Sequence, residues 1–331
     1  IIGSGPIRKY SKFDGIRKPF SGSIPKKDII RIVNNNSIKN KIISLADQYL
    51  FDRLNGNINH LDAKKAFAAD NFNYSNSSEF CNSYDLDPNK KSVFVMLHAF
   101  NDYPNIFECI HMDYFLWLEN VLKIALKNTE VNWIFKEHPS SEFYPTEDVN
   151  LKQYFEKNSI GAKHIRFIGY QEKFNSQCLK NIAHAIVTVV GTAALEFACF
   201  GIPSIICGKN HFAEFEICKR AKSTEELEQM LISISDLQPV NKEQCELARI
   251  VYYLHFGVVM ANNWNSNAFL PVSNHEDRLK NEIQPVIDYY NSYLNTEDCS
   301  DYLNRIKNFL TNDEEIIFFR DPELASIQTD K

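Results

Sequence analysis

Between Ser92 and Leu231 short apolar runs alternate with stretches of helical period, and this alternation constrains the fold more than any other feature of the chain. Ser92-Val-Phe-Val-Met-Leu97 is a continuous apolar run following Asp87-Pro88, the pattern of a strand covered on both faces. Tyr114 to Lys127 is spaced as a long amphipathic helix, Val131 to Phe135 as a second strand, Leu151 to Asn158 as a helix and Ile165 to Ile168 as a third strand. The apolar segment Ala183 to Val190 turns at Gly191 into a helix that stops at Gly201-Ile202-Pro203, where Ser204 to Cys207 starts a fifth strand. Ser223 with Glu226 three residues later is a capping box, opening a helix that runs to about Ile234. Five strands separated by helices predict an α/β domain over 91–237 with an open parallel sheet of Rossmann type. Its ligands are then expected outside the carboxyl ends of the strands.

The flanks read differently. Residues 1–90 are rich in Asn, Ser and Lys, with Ser37 to Leu54 spaced as a helix, Asp62 to Ala69 as a second, and the remainder as loop. The asparagines are read as compositional bias without function. From Asn241 onward the chain reads helical, with Glu243 to Met260, Glu276 to Tyr293 and Ser300 to Leu310 as candidates, and 238–331 is expected to pack back on the N-terminal side. The chain opens Ile1-Ile2-Gly3-Ser4-Gly5 without a methionine, so it is expected to be a piece of something longer.

A chain of 331 residues, 44% hydrophobic and 24% charged, can bury a core of ordinary size. No apolar run approaches the roughly 18 to 20 residues that cross a bilayer, and no secretory pattern opens the chain. A cytoplasmic location is expected, with peripheral attachment at the inner face of a membrane as an extension of it. A formal charge of −6 gives no global attraction to nucleic acid, and none is expected as a partner. The basic residues from Arg8 to Lys27 are dispersed, as in a solvated segment. The eight cysteines form no CxxC pair and several sit in apolar segments, so they read as buried thiols.

Three constellations can carry chemistry. Lys136-Glu137-His138-Pro139-Ser140-Ser141 falls at the carboxyl end of a strand, where a histidine can donate to a phosphate or a base and the proline fixes the turn. Val190-Gly191-Thr192-Ala193-Ala194-Leu195-Glu196 is a strand-to-helix junction whose backbone N–H groups and small residues suit an anion, with Glu196 about one turn further on. His98 ends the first strand and Asp102 follows in a loop, both toward the same cleft. His111 and Asp113 lie near, without metal-ligand spacing, and Asp85-Leu86-Asp87 reads as a solvated turn, so no metal is expected. G-x-G-x-x-G, Walker A and G-x-S-x-G sequences are missing, which disfavours dinucleotide dehydrogenases, P-loop enzymes and hydrolases.

Taken together, Asp113-Tyr114 through Trp117, Asn132 through Ser140, and Gly191 through Ser204 resemble the bacterial capsule and surface-polysaccharide glycosyltransferases. These are GT-B proteins, similar in pattern to the Kdo and sialic acid transferases with an HP motif and a later Ser/Thr motif. The resemblance covers roughly 85–235, with a weaker echo at Arg53-Leu54-Asn55-Gly56-Asn57 and Asp62-Ala63. It implies that His138 and Pro139, with Lys136 and Ser140, hold the donor nucleotide, Gly191 and Thr192 its phosphate, and Glu196 the ribose. It implies a nucleotide-sugar donor, CMP-linked as in CMP-Kdo, although Gly191-Thr192 stands where those enzymes often carry paired serines. The acceptor would be a surface polysaccharide or lipid-linked glycan, handled within a membrane-associated synthase complex, with no cofactor. A GT-B enzyme also has an N-terminal acceptor lobe, and residues 1–90 are too short to be more than part of one. The catalytic base is then expected among His98, Asp102 and Asp62. Two alternatives stay open: a non-catalytic nucleotide- or polysaccharide-binding partner in a synthase, and a nucleotide-sugar epimerase of the same fold.

Overall fold

The computed structural model describes residues 24, 26–57, 65–100, 108–142 and 150–259, with isolated positions at 300, 304, 307 and 311. The described chain opens with helices α1 (Lys26–Asn34), α2 (Asn36–Leu54) and α3 (Ser77–Ser83), followed by β1 (Ser92–Met96), α4 (Tyr114–Lys127) and β2 (Asn132–Lys136). Next come α5 (Leu151–Asn158), β3 (Ile165–Ile168), α6 (Leu179–Ile182), β4 (Ala185–Thr188), α7 (Ala193–Ala198) and β5 (Ser204–Ile206). A short β6 (Lys219–Arg220), α8 (Thr224–Ile232) and α9 (Lys242–Tyr252) complete it, and α9 runs on as a π-helical turn over Tyr253–Val259.

The six strands form one parallel sheet in the order β3-β2-β1-β4-β5-β6. The chain winds outward from β1 through β2 to β3, then crosses back to β4 on the other side of β1. The sheet therefore has its switch point between β1 and β4, where a crevice opens at the carboxyl ends of the strands. The near-continuous apolar runs follow from burial on both faces. Val93, Val95, Trp133, Phe135 and Val187 pack with α4, α5 and α8 on one face. Phe94, Ile134 and Ile186 pack with Phe80, Phe174 and Phe197 on the other.

A third cluster joins Ile29, Ile32, Ile42 and Leu50 of the N-terminal helices to Ala194, Leu195 and Ala198 of α7 and to Ala248, Val251 and Tyr252 of α9. Helices α1 and α3 thus occupy stretches where the sequence pattern predicts loop. Each is short, seven to nine residues, and marginal by itself; burial of Ile29 and Ile32, and of Phe80 and Cys81, supplies what local periodicity does not signal. The strand β6, two residues with partly exposed side chains, is likewise absent from the apolar pattern. The helix expected over Asp62 to Ala69 is present at Lys65 and Ala66 and gives way to a turn at Phe67, while 62–64 lie outside the described residues. The candidate over Glu276 to Tyr293 also lies outside them, and of Ser300 to Leu310 positions 300, 304 and 307 are described, each helical.

The asparagines have a structural use after all. Asn35, Asn76, Asn150 and Asn241 are N-caps of α2, α3, α5 and α9, each accepting the backbone N–H three residues on, a contribution of about 1 kcal/mol apiece. Ser223 caps α8 as its motif predicts, accepting from Glu226, whose carboxylate in turn accepts from the Lys222 N–H at 2.7 Å. Gly201, at φ +88°, ends α7 in a left-handed conformation that any other residue would adopt under strain.

Candidate functional site

The crevice at the switch point is built around a polar relay. Thr188, the last residue of β4 and fully buried, places Oγ1 3.0 Å from His98 Nε2 and accepts the Gly191 N–H at 3.3 Å. Val190 N–H also points at Nε2, at 3.4 Å. A backbone N–H can only donate, so Nε2 is the acceptor, Thr188 donates its hydroxyl proton, and the neutral ring carries its proton on Nδ1. The ring stacks on Tyr114 with centroids 4.4 Å apart and meets the edge of Trp117. Burial first, and the neighbouring His138 second, hold the His98 pKa down to about 3, so the ring stays neutral at physiological pH. Its geometry fixes the backbone turn that leads from β4 into α7.

That turn is tight because Gly191 has no side chain: a Cβ there would lie 2.7 Å from Thr188 Oγ1. After it, Ala194, Leu195 and Glu196 bond back to Gly191 and Thr192, so the intrahelical ladder begins with their N–H groups. Asn210 braces the turn from the loop after β5, donating to the Val190 carbonyl at 3.4 Å while accepting the Phe212 N–H.

Across the crevice, β2 delivers Lys136 to Ser140. His138 Nδ1 accepts the Ser140 N–H at 3.1 Å, which leaves the proton of the neutral ring on Nε2 as a donor. Pro139 opens a 3-10 turn, Pro139–Glu142, that holds this geometry. Lys136 is 5% exposed and its ammonium lies 5.6 Å from the Phe174 ring centroid. Burial pulls its pKa down to about 8, against smaller opposing effects of Cys178, Glu137 and Glu172. Lys136 and Pro139 line a cavity of about 400 Å³ with Lys65, Asn71, Tyr170 and Phe174 among its other walls.

The structure thus brings His98, His138 and the Thr188–Gly191 turn together, with Lys136 and Pro139 on an adjoining cavity. Glu196 stands apart from this group. Its Oε1 receives Arg53 Nε at 2.5 Å and the Tyr252 hydroxyl at 3.3 Å, in a setting where Glu196 is 4% exposed. Burial opposes the charge on Arg53, but Glu196 outweighs it and raises the guanidinium pKa. The carboxylate expected at a ribose is engaged in tying α2 and α9 to α7. Asp62 and Asp102 lie outside the described residues.

Asp85 and Asp87 behave as a solvated turn: Asp85 pairs with Arg166 at 3.3 Å and Asp87 accepts the Asn89 N–H. Asp113 is the N-cap of α4, accepting the Leu116 N–H, and His111 Nε2 meets Asn120. Among the described residues no three His, Cys, Asp or Glu side chains gather as a metal cluster, and no helix is long and apolar enough to cross a membrane. The seven described cysteines are free thiols, five of them buried. Thr188, Asn210 and Tyr252 escape a motif reading, and Arg53 appears only in the weaker motif echo, without its role. Of the first three, Thr188 alone leaves a trace in sequence, as the single hydroxyl inside the apolar run from Ala185 to Val190.

No protein-family profile matches the chain, and no curated protein matches it. Solved structures similar to it include the Thermosulfurimonas dismutans KpsC beta Kdo 2,4 transferase, at 14% identity and a TM-score of 0.39 over 64% of this chain and 55% of that one. Anabaena HepE in complex with UDP-glucose is similar at 11% identity and a TM-score of 0.36, over 58% and 51% of the two chains. The Methanocaldococcus jannaschii UDP-GlcNAc 2-epimerase in complex with UDP-GlcNAc and UDP is similar at 19% identity and a TM-score of 0.32, over 54% and 48%. The chain spans about half the length of each of these proteins.

Proposed function

We propose that this chain is the nucleotide-sugar-binding part of a glycosyltransferase that transfers a sugar from a nucleotide donor, CMP-linked in the first instance, to a surface glycan. The observation that carries this reading is the meeting, at the switch point of a parallel sheet, of a histidine donor (His138 Nε2) with a glycine turn held open by Thr188 and His98. The donor phosphate would sit between them, receiving the His138 N–H and the Thr192 N–H, with Gly191, whose own N–H is held by Thr188, leaving room for its approach. Charge that develops on the leaving phosphate is stabilised there without a metal, by dipoles already fixed in place. His98 acts in this scheme by positioning the turn. Asp62 and Asp102 remain the candidates for the acceptor base, with the acceptor a polysaccharide or lipid-linked glycan at the inner membrane face.

The engagement of His98 Nε2 by protein groups favours a second reading, a lobe that binds the donor without transferring it. A thermal-shift screen of the chain against CMP, CDP, UDP, GDP and ADP tests the binding, since a ligand of the native state alone raises its melting temperature. Stabilisation by a nucleotide that is lost in Thr192→Val and His138→Ala supports the site. No response to any nucleotide refutes both readings. Release of nucleotide that depends on an added acceptor separates the transferase from the binding lobe and from an epimerase.

A further inference from the structure

The proposed function uses the turn after β4 for the donor phosphate, while Lys136, which the motif resemblance sets only loosely with the donor nucleotide, stands on a separate cavity. This lysine is 5% exposed, yet it makes no hydrogen bond or ion pair with any described residue; its ammonium lies over the face of Phe174, 5.6 Å from the ring centroid. A buried charge is ordinarily neutralised by a partner. Two carboxylates act on this ammonium through space but their oxygens bond to backbone N–H groups and not to it. Glu137 Oε2 accepts the Tyr170 N–H at 3.0 Å and Glu172 Oε1 accepts the Gly169 N–H at 2.9 Å, both shaping the loop after β3. Cys178, the next group facing the ammonium, is a neutral thiol, its pKa pushed up to about 12 by burial. Lys65 adds a second positive charge beside Tyr170, and Asp70 is paired with Lys173 at 3.3 Å. The ammonium is therefore offset only in part by these charges and forms no ion pair among the described residues, and it lines a cavity of about 400 Å³, within the range of small-molecule sites.

We infer that the cavity walled by residues 65–71, Lys136, Pro139 and 169–174 is an anion-recognising subsite, in which Lys136 receives a phosphate or carboxylate group of a sugar-bearing ligand. The subsite is distinct from the Gly191 turn and rests on the reading of the crevice as a nucleotide-sugar site. An incoming anion restores to the ammonium the partner that the fold withholds. The desolvation of the cation has already occurred on folding, so the anion gains a preorganised charge-assisted bond. Tyr170, which lines the same cavity, would border the rest of the ligand.

The experiment is isothermal titration of the chain and of its Lys136→Met and Lys136→Arg variants with inorganic phosphate, CMP, glucuronate and, as a neutral control, glucose. Lys136→Met is expected to weaken binding of an anionic probe at least tenfold, Lys136→Arg to retain part of it, and glucose to behave alike in all three. Loss confined to phosphate and CMP identifies a phosphoester as the natural group, and loss confined to glucuronate a sugar carboxylate. Wild-type affinity should also fall as the pH rises from 7 to 9 while the Met variant shows no such fall, with Lys65, Glu137, Glu172 and Cys178 unchanged between the two. Equal affinity of wild type and Lys136→Met for every anion overturns the inference, as does a wild-type chain that binds none of them. The Thr192 and His138 variants keep this separable from the proposed function. If they lose CMP while Lys136→Met keeps every anion, the subsite fails and the nucleotide site stands; the converse result sinks the nucleotide site alone.

Discussion

Replacing Lys136 with methionine is expected to make the protein more stable at neutral pH. A lysine whose pKa falls from 10.5 to about 8 on folding is held protonated at pH 7 against its surroundings. At about 1.36 kcal/mol per pKa unit this costs about 3 kcal/mol. Methionine keeps the length of the aliphatic stem and its packing on Phe174, and the lost cation–π contact gives back about 0.5–1 kcal/mol. The net gain is then about 2 kcal/mol near pH 7. Between pH 8 and 10.5 the folded lysine has released its proton while the unfolded one still holds it, so wild-type stability rises with pH across that window. Above 10.5 the lysine is neutral in both states and the gap between the two proteins narrows to packing differences. Urea unfolding of both proteins near pH 7, 8, 9 and 10 measures the gap directly, because every other titrating group is common to both. A variant less stable than wild type at pH 7, or a gap that does not change with pH, would refute the account of a buried charge without an ion pair.

Three further outcomes follow from the geometry. Arg53→Ala leaves the Glu196 carboxylate buried with only Tyr252 as a described partner, so a loss of about 3–5 kcal/mol is expected in calorimetric melting, and Arg53→Met with Glu196→Gln should cost less than the single change. Gly191→Ala puts a Cβ against Thr188 Oγ1 and displaces the hydroxyl from His98, at a cost of about 1–3 kcal/mol; in a Thr188→Ala background the same change should cost much less, and additive effects in the double-mutant cycle would contradict this. His98, with a pKa of about 3, should give no NMR titration between pH 5 and 8; because the unfolded ring binds its proton near pH 6.5, its contribution to stability is full above that value and is lost as the pH falls toward 3. A His98 resonance that titrates near 6.5 would place the ring in water.

Much of the sheet is legible in the sequence because both of its faces are buried. A strand covered on both sides is apolar over most of its length, and β1, β2, β4 and β5 announce themselves as near-continuous runs whose buried polar residues, Ser92, Asn132, Lys136, Thr188 and Ser204, stand at strand ends. The two motifs were legible for a related reason: a glycine turn and a His-Pro pair are backbone requirements, written locally. The roles of single side chains were not. Glu196 stands one turn into a short helix, where sequence distance suggests a ligand group, yet Arg53 reaches it from 143 residues away. His98 ends a strand as a base might, and its Nε2 bonds to Thr188, 90 residues on, a contact that local spacing does not announce.

Local pattern alone sets the order of the elements from β1 to β5 and the turn chemistry between them, because these follow from periodicity and backbone constraints within about ten residues. Charge is settled by the packed chain: which histidine stays neutral, which glutamate is paired with an arginine and which lysine has no ion pair among the described residues. Those outcomes depend on burial and on partners brought within about 3 Å from distant parts of the chain, and neither quantity is encoded in local spacing.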